Sequence, residues 1–84
     1  MDNRMVNTRT YFKFAISYLR KHHQDFNIEH YTSRLTMWTH VRCLVYVHYG
    51  VHDISQMKPE WQKEANALAI NIMELIRSKH NENS

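Results

Sequence analysis

Glycine and proline are almost missing from this chain: Gly50 is its one glycine and Pro59 its one proline in 84 residues. A β-sandwich or barrel of this length needs several tight turns, which draw on those two residue types. Their scarcity argues against such folds and points to helices. Cysteine is equally scarce. A lone Cys43 rules out an intramolecular disulfide framework. No apolar signal stretch follows Met1-Asp2-Asn3-Arg4, so the cytoplasm is the expected compartment. The longest apolar run, Cys43 to Val47, falls far short of the roughly 20 residues that cross a bilayer, and no membrane partner is expected.

Catalytic signatures are also lacking. One glycine cannot build a phosphate-cradling loop, there is no GxSxG turn, no HExxH and no paired CxxC, and the acidic residues are scattered rather than paired. The expectation is a protein that is not an enzyme and uses no cofactor. The seven histidines raise a metal hypothesis. His48 and His52 are four apart with Asp53 adjacent, but Gly50 falls between them. A zinc site needs three or four converging ligands, so no metal is expected. The histidines at His22, His23, His52 and His80 fall near helix ends, where an imidazolium suits the dipole. Cys43, set among Val41, Leu44 and Val47, reads as a core thiol.

What the chain does have is apolar surface. It is 43% hydrophobic and 12% aromatic, enough to offset ordering entropy, and its length suits one core. The pattern predicts an all-α, compact three-helix domain over 1–80 with a polar tail, 81–84. The first helix is expected over 8–22, where Tyr11, Phe12, Phe14, Ala15, Ile16, Tyr18 and Leu19 spread over about 200° of the circumference. Residues 23–32 read as a connection anchored by Phe26, Ile28 and Tyr31. A second helix is expected over 33–49, capped by Thr32 or Ser33 and stopped by Gly50, apolar nearly all the way round and therefore central. The alternation Val41, Cys43, Val45, Val47, Tyr49 is also compatible with a strand, though no other segment offers a partner for it. The third helix, 59–79, has Pro59 in its first turn, Glu60 and Glu64 early and Arg77, Lys79 and His80 late. Its seam is Trp61, Ala65, Leu68, Ile72 and Leu75, widened by Ile76 and Ala69, with Ile70 on the polar side.

Two features point to function. Charge is unevenly placed: residues 1–42 hold seven Lys or Arg against three Asp or Glu, and residues 43–84 hold four against five. On a continuous first helix, Arg9, Lys13 and Arg20 fall within about 40° of one another along about 16 Å. With Lys21 they form a cationic stripe for an acidic protein surface or for nucleic acid. A solvated face of an amphipathic helix is the plainer account of the same residues. The second feature is aromatic excess, since tyrosine and tryptophan favour interfaces. Tyr11, Phe14, Tyr18, Trp38 and Tyr49 are the expected self-association or partner face, with a homodimer completing the core.

The expected function is a small non-enzymatic interaction or regulatory protein, of the kind phages and mobile elements encode to modulate a larger macromolecular machine. The alternative is a small basic nucleic-acid-binding protein using the Arg9/Lys13/Arg20 stripe. No zinc finger or ribonucleoprotein motif accompanies that stripe.

Overall fold

A computed structural model describes residues 7–22 and 31–82, and its elements are all helical. They are α1 (Thr8–Tyr11), α2 (Lys13–His22), α3 (Tyr31–Tyr49) and α4 (Gln62–Glu82), with 3₁₀ turns at Ile54–Gln56 and Pro59–Trp61. The strand alternative for 41–49 is overturned, because the whole stretch lies inside α3. A helix satisfies its own backbone, whereas a strand needs a partner, and there is none among the described residues. The connection at 23–30, with Phe26 and Ile28, lies outside the described residues.

The first helix starts where Thr8 was expected to open it, with the Asn7 side chain accepting from the Thr10 N–H at 2.8 Å. It is not continuous to 22. At Phe12 the backbone leaves helical geometry (φ −102°, ψ 29°), dividing α1 from α2. The cause lies on α4. An unbroken helix would bond the Ala15 N–H to the Tyr11 carbonyl, but here the Asn66 side-chain amide stands between them. Its Oδ1 accepts from Ala15 at 2.9 Å and its Nδ2 donates to Tyr11 at 2.9 Å. The same Nδ2 donates to the Gln62 carbonyl at 2.7 Å, and Gln62 Nε2 adds a bond to the Tyr11 carbonyl at 3.0 Å. A side chain inserted into the ladder is a recognised origin of helix kinks.

The kink drives Phe12 inward. It is fully buried, edge-on to Tyr11 at 5.1 Å and to Trp38 at 5.3 Å, and so joins the α1–α2 junction to α3. Val41 and Val45 of α3, Ala15 and Leu19 of α2, and Ala65, Ala69 and Met73 of α4 complete the core, with Met57 arriving from the α3–α4 connection. α2 and α3 both pack along α4, so α4 is the central helix rather than α3. Its buried stripe is therefore rotated from the centre of the expected seam by roughly 75°, past its Ala69 edge. Leu75 is 74% exposed, Leu68 and Ile72 are half-buried, Ile70 leans on the core, and the buried line runs through Ala65, Asn66, Ala69 and Met73. A helix covered on two sides must centre its buried stripe between its two neighbours.

α3 begins at Tyr31, so Thr32 and Ser33 lie in its first turn rather than capping it. It ends as expected. Gly50 takes a left-handed φ of 69°, its N–H donates to the Val47 carbonyl at 3.1 Å, and the Val51 N–H reaches the Tyr46 carbonyl at 3.0 Å. This is a Schellman termination. Cys43 is exposed, which corrects its reading as core. With Leu44 and Val47 also exposed, α3 has an outer face that nothing in the described chain covers. α4 continues through Glu82, two residues into the expected tail.

Two substitutions test this account. Asn66→Leu keeps the bulk but strands the buried Ala15 N–H and leaves the Tyr11 C=O only its bond from Gln62, and urea unfolding should record a loss of about 1–3 kcal/mol. A loss no larger than that of an ordinary surface change would mean the ladder closes without the amide. Gly50→Ala meets no atom within 4 Å, so its cost is backbone strain alone. We expect about 1 kcal/mol, with the slope of the unfolding curve unchanged.

Candidate binding surface

α1 and α2 together carry Arg9, Lys13, Arg20 and Lys21 and no acidic residue. These four cations fall into two groups. Arg9 on α1 and Arg20 on α2 line a cleft of about 280 Å³ between the α1–α2 segment and α3. Lys13 and Lys21 are exposed outside it. The Lys13 ammonium sits over the exposed Phe14 ring at 5.1 Å, a cation–π contact on the outer surface. The expected continuous stripe is thus resolved into a cleft pair and an outer pair.

Sequence reasoning missed the third guanidinium of the cleft. Arg42 on α3 lines the same cavity, with Thr8, Ile16, Leu19, Leu35 and Trp38 as the other walls. Its guanidinium lies over the Tyr46 ring at 5.9 Å, and its Nε is buried with no hydrogen-bond acceptor. A signal for it existed. Trp38, Arg42 and Tyr46 follow one another at intervals of four along α3, and Trp38 and Tyr46 both pack on Phe12. The cleft is consequently two-sided, with an apolar floor from α2 and α3 and three arginines. Among the described residues its lining contains no carboxylate.

The five residues expected to form one aromatic face are not brought together on the surface. Tyr11 and Trp38 are buried in the core. The Tyr11 hydroxyl donates to the Lys58 carbonyl, tying α1 to the α3–α4 connection. Tyr18 is half-buried against His22 at 4.6 Å, and its hydroxyl accepts from Arg77 at 3.4 Å. Tyr49 is half-buried, stacked on Trp61 at 4.8 Å, and donates to the Glu64 carboxylate at 2.5 Å. Only Phe14 stands out in solvent, at 59% exposure. The aromatic excess has gone into tying the three helices together, and the exposed apolar surface belongs to aliphatic residues instead: Leu35, Leu44, Val47 and Leu75.

Among the described residues, no group of three or more His, Cys, Asp and Glu side chains could hold a metal. His48 packs edge-on to Tyr49 at 5.0 Å, while the His52 backbone N–H bonds Gln56 Oε1 at 2.6 Å beyond the Gly50 turn. Asp53 caps the turn that follows. Its carboxylate accepts from the Ser55 hydroxyl at 2.6 Å and from the Ser55 N–H at 3.4 Å, and these bonds hold its carboxyl below the usual range. No helix is long and apolar enough among the described residues to cross a membrane. Comparison of the chain with protein-family models, with curated proteins and with solved structures finds no match.

The tyrosines link folding to alkaline pH. Burial, then the hydrogen bond and charge of Glu64, push the Tyr49 phenol well above its usual 10.0. Burial and the nearby Glu60 raise Tyr11, and burial raises Tyr46 against the opposing pull of Arg42 and Thr8. A group raised on folding contributes stability that is fully present below its unfolded pKa and lost as pH climbs toward the folded one. The urea midpoint should accordingly fall as pH rises above 10.0. It should fall less steeply in Tyr49→Phe, which has no phenol to ionise at that site. Equal slopes for the two proteins would remove Tyr49 from the linkage.

Proposed function

We propose that this chain is a non-enzymatic interaction protein that acts by docking an acidic protein surface on the edge formed by α1, α2 and α3, and that it regulates a larger assembly by occupying that surface. The observation that carries the reading is that Arg9, Arg20 and Arg42 all line one cleft, whose other walls are apolar but for Thr8. Cations that merely solubilise a helix point away from one another into water. Guanidiniums gathered over an apolar floor offer directional donors beside a surface that gains from being covered.

Binding of nucleic acid is the second reading, and it is favoured by the acid-free run of α1 and α2. A duplex or single strand is held by a line of phosphate contacts. Here two of the four cations of that run face the cleft and two lie outside it. The geometry suits a compact anionic anchor better than an extended backbone.

Self-association belongs to the same proposal but to another face. The outer side of α3 presents His40, Cys43, Leu44 and Val47, with Val47 at 75% exposure and no Asp, Glu, Lys or Arg in that group. A second copy would cover this face and leave the cleft open.

Pull-down from a native extract, with proteins and nucleic acids both identified, tests the principal reading. Wild type should retain a protein that the Arg9→Ala/Lys13→Ala/Arg20→Ala triple variant loses, and nuclease treatment should leave the capture intact. Capture abolished by nuclease would transfer the assignment to nucleic acid. Light scattering coupled to size exclusion should give twice the chain mass for wild type and the single-chain mass for Leu44→Glu/Val47→Glu. A monomer at every concentration would discard the α3 pairing.

A further inference from the structure

We propose that the cleft between α2 and α3 is the docking site for an acidic-apolar peptide segment, one in which an aspartate or glutamate adjoins a leucine or aromatic side chain; this rests on the reading above and names its anchor. Size comes first. Sites for whole small molecules run from about 300 to 1,000 Å³. A cleft of about 280 Å³ lies at the small end of that scale and matches one or two side chains. Interfaces concentrate their energy in anchors of that size, set in desolvated pockets.

The chemistry of the walls divides the anchor into two parts. Ile16, Leu19, Leu35 and Trp38 supply the apolar part, and Leu35 is about half exposed, so a partner side chain would cover surface that is wet in the free chain. Arg9, Arg20 and Arg42 supply the cationic part. A guanidinium pairs with a planar carboxylate through two parallel N–H donors, a geometry that a lysine cannot offer.

Arg42 carries the argument furthest. Its Nε is buried with no acceptor, an arrangement that costs free energy in a charged donor. The acid that feels its charge, Asp53, has its carboxylate engaged by the Ser55 hydroxyl and N–H. A carboxylate entering the cleft would give the Arg42 guanidinium an oxygen acceptor that the described residues do not provide at Nε. An aromatic base would not do this, and Trp38, buried with Phe12 edge-on against it, presents a wall rather than an open stacking platform.

The experiment is a titration of the full chain followed by tryptophan fluorescence and by NMR of the indole and arginine Nε–H signals. The probes are a synthetic peptide Glu-Leu-Asp-Phe-Glu with blocked ends, its Gln/Asn counterpart, hexaglutamate and single-stranded oligo-dT. The acidic-apolar peptide should shift the Trp38 indole and Arg42 Nε–H signals. Its Gln/Asn counterpart should bind about tenfold more weakly, the scale of one lost charge-assisted hydrogen bond. Arg42→Gln and Leu35→Glu should each weaken the acidic-apolar peptide by about tenfold, with unchanged circular dichroism. Lys13→Ala, outside the cleft, should change it by about twofold or less.

Hexaglutamate binding as tightly as the mixed peptide, with Arg42→Gln indifferent, would overturn the cleft while leaving a basic docking surface in place. Oligo-dT binding tightly with no peptide response at Trp38 would overturn both readings. Absence of binding by every probe would also overturn the cleft, and the extract pull-down would then decide the broader reading independently.

Discussion

The fold depends on one side-chain amide. Between Tyr11 and Ala15 the helical ladder is opened, and the two backbone groups it frees lie in the interior, where neither can turn to water. A donor and an acceptor are needed side by side at that point, and the Asn66 amide has both in one plane. It is 3% exposed and satisfied on both atoms. The hydrogen-bond tolerances of Asn66 therefore fix where α4 crosses the α1–α2 junction. The kink turns Phe12 onto Trp38 and Tyr46, and through those rings it places α3. Aspartate would lack the donors and would bury a charge there, and an alanine would meet neither need.

That dependence explains what could be read from the sequence and what could not. Gly50 and Pro59 marked helix boundaries because their backbone restrictions are local. The helical class followed from their rarity. Asn66 was invisible for the opposite reason. On a helical wheel a polar residue reads as surface, and its burial is decided by backbone groups more than fifty residues earlier in the chain. The same tertiary contact moved the α4 seam. Apolar spacing fits a helix packed on a single neighbour, while α4 serves two, so Leu75 was left outside and Met73 taken in. Cys43 was misassigned because two of the apolar residues grouped with it, Leu44 and Val47, lie on the same outer side of α3 and are themselves exposed, so an apolar neighbourhood on the helix did not mean burial.

The cleft residues were legible in part. Arg9 and Arg20 stood out because an acid-free run of cations is a linear feature. Their separation from Lys13 and Lys21 was not readable, since it depends on where α3 packs beside α1 and α2. Arg42 belonged to a different helix and could be joined to them only once Phe12 had brought α3 alongside. Tyr11 and Trp38 were assigned to an interface on the ground that three helices could not cover so many rings. The helices cover most of them, and the hydroxyls of Tyr11, Tyr18 and Tyr49 find partners at the rim of the core.

A plainer account of the cleft is that arginine stems lie across core edges simply to shield them, as long cationic side chains often do. That account covers Arg9, whose charge need only reach solvent. It covers Arg42 less well. A shielding arginine keeps its polar nitrogens hydrated, whereas the Arg42 Nε is shut away from water and has no acceptor among the described residues. The Tyr46 face offsets part of that loss, because a ring attracts the cation, but a ring face supplies no oxygen to an N–H donor. α2 and α3 lean on α4 more than on each other, so the opening between them is a consequence of the topology and exists before anything fills it. An apolar gap fixed by the packing, with an unmet cationic donor at its edge, lowers the reorganisation that a matching anion must cause on entry, and low reorganisation is what allows a small contact to bind specifically.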